Sequence, residues 1–242
     1  LNRETNRASI AQAQGFLGRQ VEGMIRRSLR ARFHSVYWER PVALPDGPRI
    51  YVPNHHGWHD GYVMYAALTQ LRHGRFYDWI QEYKAFPLFG RVGGMNFPPD
   101  DANERAKTIR RTIRLLREGD ASLLLFAEQH LHRPPELREF GRTLELISRQ
   151  VPAATVIPVA IRYELCFHER PEAFVCFGPP VEAGPDLSRR TRNAVRGQMD
   201  RLRTMIDYEP EKLERLVAGT RDVNERLDIR RFRPSRRSNI ES

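Results

Sequence analysis

Three short apolar runs, residues 121–126, 155–162 and 173–177, set the tightest limit on how this chain can fold. Each has the length of a strand and little polar alternation, the pattern of a strand covered on both faces. Between and before them lie segments with apolar residues every three or four positions. In residues 102–117, Ala106, Ile109, Ile113 and Leu116 form one line against Arg105, Arg110, Arg111 and Arg114, and Gly119 closes the segment. This is the pattern of an amphipathic helix with a glycine stop. Further strands are expected at 35–38, 50–52 and 76–81, and further helices at 58–71 and 189–206. Strands alternating with helices predict an α/β fold, a largely parallel central sheet flanked by helices.

Residues 8–32 carry a second amphipathic pattern. Ile10, Phe16, Leu17, Val21, Met24, Ile25 and Leu29 recur at helical spacings, with Arg19, Arg26, Arg27 and Arg30 between them. Such a segment packs on its domain as a surface helix or lies on an anionic membrane, and both hold if only part of the face docks. Residues 1–34 are therefore read as an N-terminal amphipathic helical segment ahead of a main domain at 35–229. Residues 230–242, rich in arginine and serine, are expected to form a disordered basic tail.

The 242 residues suffice for one sizeable core. The net charge of +10 is almost entirely arginine, since lysine occurs only at Lys84, Lys107 and Lys212. A basic surface implies an acidic partner: nucleic acid, anionic lipid or a phosphorylated substrate. No aromatic RNA-binding motif or zinc-finger spacing accompanies the charge, so no nucleic-acid partner is expected. No apolar run approaches the roughly 20 residues of a membrane span, and no secretory hydrophobic region is visible. Cys166 and Cys176 form no CxxC pair and read as small buried fillers in a reducing cytoplasm.

The densest polar cluster is Asn54-His55-His56-Gly57-Trp58-His59-Asp60-Gly61, between a short apolar strand and a helix. In α/β proteins such strand-to-helix junctions often carry the reactive groups. A histidine acting as general base needs one ring nitrogen facing the substrate and a partner on the other to fix its tautomer. Asp60 can serve His55 five residues before it if the loop turns into the first helical turn. It can equally serve His56 at i,i+4, so spacing alone does not select the base. A second reading is a metal-dependent hydrolase with His55, His56, His59 and Asp60 as ligands, completed by His130 and His132. The string lacks the HExxH pattern that would support it.

Asn54-His55 followed by four residues and Asp60 resembles the NHx4D signature of the PlsC-like glycerolipid acyltransferases. Companions follow in the family's order. Tyr83 to Gly90 looks like the segment in which a lysine precedes a P-x-F-G turn, and Gly94-Met95-Asn96-Phe97 resembles the start of the second block. Leu125-Phe126-Ala127-Glu128 is similar to the third block, F-P-E-G. Phe140-Gly141-Arg142-Thr143 stands at the family's basic loop leading into a helix. Val156-Ile157-Pro158-Val159-Ala160-Ile161 resembles the fourth block, and Phe177-Gly178-Pro179-Pro180-Val181 the closing strand end. The likeness spans residues 50–182. Two departures fall on the acceptor side: Pro98 and Pro99 stand where the second block has an arginine, and Gln129 replaces the third block's glycine.

The resemblance implies transfer of a fatty acyl group from acyl-CoA or acyl carrier protein to a hydroxyl of a lysophospholipid or related lipid. His55 would be the base and Asp60 its partner. Asn54, Glu128, Arg142 and, as the nearest match to a family arginine, Arg133 would bind substrate or organise the site. The chemistry calls for no metal and no cofactor beyond the thioester co-substrate. It also implies a peripheral location on an anionic membrane surface, at the cytoplasmic inner face.

Overall fold

A computed structural model describes residues 12–227 except 73, 120 and 166. The tail at 230–242, the first residues of the N-terminal segment and Cys166 lie outside it. Six helices are present among the described residues: α1 (Gly15–Arg32), α2 (Asp60–Leu71), α3 (Ala102–Arg117), α4 (Thr143–Gln150), α5 (Leu187–Tyr208) and the single turn α6 (Val223–Arg226). Eight strands form one sheet: β1 (Ser35–Trp38), β2 (Arg49–Pro53), β3 (Arg75–Ile80), β4 (Gly94–Asn96), β5 (Ala121–Leu124), β6 (Thr155–Glu164), β7 (Glu172–Phe177) and β8 (Glu214–Ala218). Two 3-10 turns, Tyr83–Ala85 and Pro87–Val92, link β3 to β4.

The strand order is β4-β3-β5-β2-β6-β7-β1-β8. Five of the seven pairings are parallel, and only β6–β7 and β1–β8 are antiparallel. The sheet is thus largely parallel, as the buried runs require. Side-chain alternation divides it between two cores. Tyr51 and Ile157 face α1 and α2, with Val21, Ile25, Leu29, Val63 and Met64. Ile50, Val52 and Leu123 face the other layer, with Leu116, Leu144, Ile147, Leu187 and Val195.

The helix α1 buries Val21, Ile25 and Leu29 and leaves Phe16 and Leu17 exposed. Its inner face packs on the domain, so the described part of this segment is no separate body. Leu116 is fully buried and Ile113 packs partly buried against the core, as expected, and they are joined on the inner face by Thr108 and Thr112. Both threonines are accommodated because their hydroxyls are bonded. Thr108 donates to the Asn96 carbonyl at 2.6 Å, and Thr112 accepts from Trp79 Nε1 at 3.0 Å. Gly119 stops the chain at φ +93°, as its position after the helix predicts.

The path from β2 leads to β3, two places to one side, while β5 crosses back to β6 on the other. A crevice opens where the connections diverge, at the carboxyl ends of β2 and β5. The histidine cluster emerges there.

Candidate active site

Asn54 leaves β2 fully buried. Its Nδ2 donates to the Ile161 carbonyl at 3.0 Å and its Oδ1 accepts from the Ile161 amide at 2.8 Å. The side chain thus imitates one more backbone pairing and extends the β2–β6 ladder beyond the strand's end. The next residue starts from a fixed origin. The His55 amide donates to Glu128 Oε1 at 2.7 Å, and its ring Nδ1 lies 2.9 Å from Asp60 Oδ2. A carboxylate oxygen can only accept there, so Nδ1 carries the proton and Nε2 is the bare nitrogen. Nε2 has no bond from the protein among the described residues.

Asp60 is fully buried at the first position of α2. Its Oδ2 also accepts from the Gly57 amide at 2.9 Å, and its Oδ1 accepts from the Tyr163 hydroxyl at 2.5 Å. Three donors thus compensate the loss of solvent. Burial, reinforced by Asp60, pushes the Tyr163 hydroxyl well above its usual range and keeps it a donor. A Cβ on Gly57 would stand 2.3 Å from the Tyr163 ring, so only glycine fits at this turn.

His56 is not the second claimant to Asp60. Its Nδ1 meets Asn54 Nδ2 at 3.2 Å, and its Nε2 lies 2.9 Å from the Glu136 carbonyl. His59 packs edge-on against Phe33 and Trp58. Burial lowers the pKa of both rings. The hydrolase set of His55, His56, His59 and Asp60 therefore does not converge on one point, and that alternative is not supported. His56 does come within 4.8 Å of Glu128 and His132, a group of three with one carboxylate, and that carboxylate is held by the His55 and Arg138 amides. Glu128, 3% exposed, accepts from the His55 and Arg138 amides and pairs with His132 Nε2 at 2.5 Å. It ties the base to the 132–138 loop.

A cavity of about 620 Å³ opens beside His55. Tyr62, Tyr65, Phe76, Phe89, Leu124 and Phe126 line it, together with Phe97 and Leu125. Phe89 comes to this lining from the second 3-10 turn. Phe86 packs against it, 4.9 Å between ring centroids, and Leu88 is exposed. Asp78, Glu82 and Arg105 interrupt the apolar lining with ionisable side chains. Asp78 has a sealed Oδ1 with no hydrogen-bond partner, and burial pushes its carboxyl up to about 7. Arg105 reaches from α3 to the carbonyls of Pro98 and Pro99. It brings a cation to the stretch whose family arginine the prolines replace. Arg133 and Arg142 are exposed and are not among the lining residues.

Tyr163 and Arg105 are thus members of the site that the motifs do not mark. No local signal identifies either, because each reaches the site from a distant element.

A bare imidazole nitrogen, its partner nitrogen held by a buried carboxylate, thus stands at the mouth of a largely apolar cavity. The acyltransferase family model matches residues 35–162, more than half of the chain, and the protein belongs to that family. Among solved structures, its fold is similar to that of the 1-acyl-sn-glycerophosphate (LPA) acyltransferase PlsC from Thermotoga maritima. The TM-score is 0.54, with 18% sequence identity over 76% of this chain and 79% of that one. Comparison with curated proteins finds no match.

Proposed function

We propose that the protein moves a fatty acyl group from an acyl thioester, acyl-CoA or acyl carrier protein, to a hydroxyl of a lysophospholipid or related lipid. The observation that carries this reading is the His55–Asp60 pair opening on the apolar cavity. The cavity's volume is in the range that encloses a long chain.

His55 Nε2 takes the proton of the acceptor hydroxyl as its oxygen attacks the thioester carbonyl. Asp60 offsets the charge that develops on the imidazolium. The tetrahedral oxyanion is met by first-turn amides of α2, those of Gly61 and Tyr62, whose residues line the cavity. Collapse breaks the C–S bond and expels the thiolate, which leaves as the thiol by taking the proton from the imidazolium. Transfer is direct: no serine or cysteine lines the cavity among the described residues. Asn54 and Glu128 act as positioning groups. Arg105 meets an acceptor phosphate, and the exposed Arg133 and Arg142 meet headgroup or donor phosphates at the mouth.

No described helix is long and apolar enough to cross a membrane. Phe16, Leu17, Trp58 and Leu88 stand exposed. With the basic surface they support peripheral docking on an anionic membrane, at the cytoplasmic face where thioester donors are made. Binding of the full chain to anionic vesicles in flotation tests this part, and loss of binding would remove it.

The central test mixes the protein with labelled acyl-CoA and a panel of lysophospholipids and lipid alcohols, and seeks the acylated product by mass spectrometry. Product formation should vanish in a folded His55→Ala variant. A folded variant that keeps most of the activity would overturn the assignment.

A further inference from the structure

A second cluster of ligating side chains lies outside the catalytic centre, where three distant segments meet. His34 stands at the junction of α1 and β1, His168 and Glu172 flank the start of β7, and Asp222 and Glu225 belong to the turn that opens α6. Main-chain bonds lock the segments together. The His34 amide donates to the Pro171 carbonyl at 3.0 Å, and the Gly219 amide to the His34 carbonyl at 3.0 Å. The position is fixed by the sheet. From β2 to β1 is three strand spacings, roughly 14 Å, so the cluster is separate from His55.

The arrangement of nitrogens and oxygens is specific. The two imidazoles stack with centroids 3.4 Å apart and 8° between planes. On one side, His34 Nε2 faces Glu225 Oε2 at 3.1 Å, and His168 Nδ1 faces Asp222 Oδ2 at 2.8 Å. One ligand atom from each of these four residues lies within 4.8 Å of the others. On the opposite side a single carboxylate oxygen, Glu172 Oε1, faces both outer nitrogens, His34 Nδ1 at 3.4 Å and His168 Nε2 at 3.8 Å. His34 Nδ1 is buried without a hydrogen bond. The side chains of His34, Glu172 and Asp222 are about nine-tenths buried, at 11%, 10% and 10% exposure.

We propose that His34, His168, Asp222 and Glu225 bind one divalent transition-metal ion of the zinc type, with Glu172 as the outer carboxylate that orients both rings. Two imidazole nitrogens and two carboxylate oxygens make the four-coordinate N/O donor set that zinc accepts. A ligating histidine typically presents its far nitrogen to a carboxylate, and here one carboxylate serves two histidines. Three carboxylates converging on two rings concentrate negative charge that a divalent ion offsets. To share one ion the rings must splay from their parallel stack, so binding involves a local rotation of His34 and His168. With four donors from the described residues filling the coordination sphere, the ion is structural: it pins the turn at α6 to the start of β1 and β7. Transfer chemistry does not pass through it.

The experiment uses the full chain, purified without a polyhistidine tag and stripped with EDTA. Zinc is titrated by calorimetry and cobalt(II) by visible absorption. The expected result is about one equivalent bound, a tetrahedral cobalt spectrum and a raised melting temperature. His168→Gln and Glu225→Gln, each shown folded by circular dichroism, should weaken binding at least about 100-fold, and Glu172→Gln about 10- to 100-fold. His132→Gln, which alters the His56–Glu128–His132 group, should leave binding intact. Absence of stoichiometric zinc or cobalt binding by the wild-type chain overturns the proposal. So does binding that survives His168→Gln and Glu225→Gln but is lost in His132→Gln.

Discussion

The hydroxyl of Tyr163 donates a 2.5 Å hydrogen bond to Oδ1 of Asp60, the carboxylate oxygen that His55 does not use. The orienting carboxylate is therefore itself oriented, from the end of β6. Its hold on His55 depends on a residue 103 positions away in sequence.

Tyr163→Phe removes that bond and keeps the ring that stacks on Phe33. A hydrogen bond to a charged group contributes about 1.5–3 kcal/mol. Turnover should fall roughly 10- to 100-fold with little change in KM. Steady-state kinetics at saturating donor check this; unchanged turnover would reduce Tyr163 to packing.

Asp60→Asn alters the partner of Nδ1 directly and removes the charge that stabilises the imidazolium. The rate should drop by about 10²–10⁴, by analogy with orienting carboxylates elsewhere. Near-normal turnover in a folded variant would make Asp60 structural only.

Gly57→Ala drives a methyl group into the Tyr163 ring. Overpacking of this kind costs about 1–3 kcal/mol, and it displaces the Tyr163 hydroxyl from Asp60. Denaturant unfolding and activity should fall together. Replacing Tyr163 with leucine in the same chain should restore stability but not activity.

Asp78 gives a pH signature. Its pKa in the fold is raised from 3.8 to about 7 by burial, so the folded state favours the protonated carboxyl. The stabilisation is complete below the unfolded value near 4 and is lost progressively as pH rises through about 7. The full difference corresponds to at most about 4 kcal/mol. Asp78→Asn should therefore melt at nearly the same temperature as the wild type near pH 4 and several degrees higher at pH 8. Equal melting temperatures at pH 8 would show that the carboxyl finds compensation.

Gln129 stands where the family has glycine, and its backbone lies in the left-handed region, at φ +65°. That conformation costs a non-glycine residue about 1–2 kcal/mol. Gln129→Gly should raise the melting temperature by a few degrees, whereas Gln129→Ala, which keeps the penalty, should not. Thermal melts of the two variants decide it.

The same position shows what sequence reading could and could not reach. The family's glycine marks a backbone need that the structure makes visible, but Gln129 alone carries no such mark. β5, β6 and β7 are legible as unbroken apolar runs, and α3 because its apolar period repeats along the helix. β4, of three residues, and β8, whose Glu214 and Arg215 are exposed, offer too little pattern to register. The two threonines on the inner face of α3 escape sequence reading because Thr108 and Thr112 look polar until Asn96 and Trp79 bond them. Within the site, His55 and Asp60 are five residues apart and could be paired by eye. Tyr163, Arg105 and the His34–His168 stack depend on strand order, which no local pattern encodes.

Asn54 stitches the end of β2 to Ile161, so the base is mechanically part of the central sheet. Part of the cavity's lining, Phe89 and Val92, comes from the 3-10 turn at Pro87–Val92, outside the strands of that sheet. On the proposed function, the reagent and the gauge that measures the substrate are then separate parts. Residues of the gauge can be exchanged and the accepted chain recut while proton transfer at His55 keeps its geometry, which leaves substrate range free to diverge around one unchanged reaction.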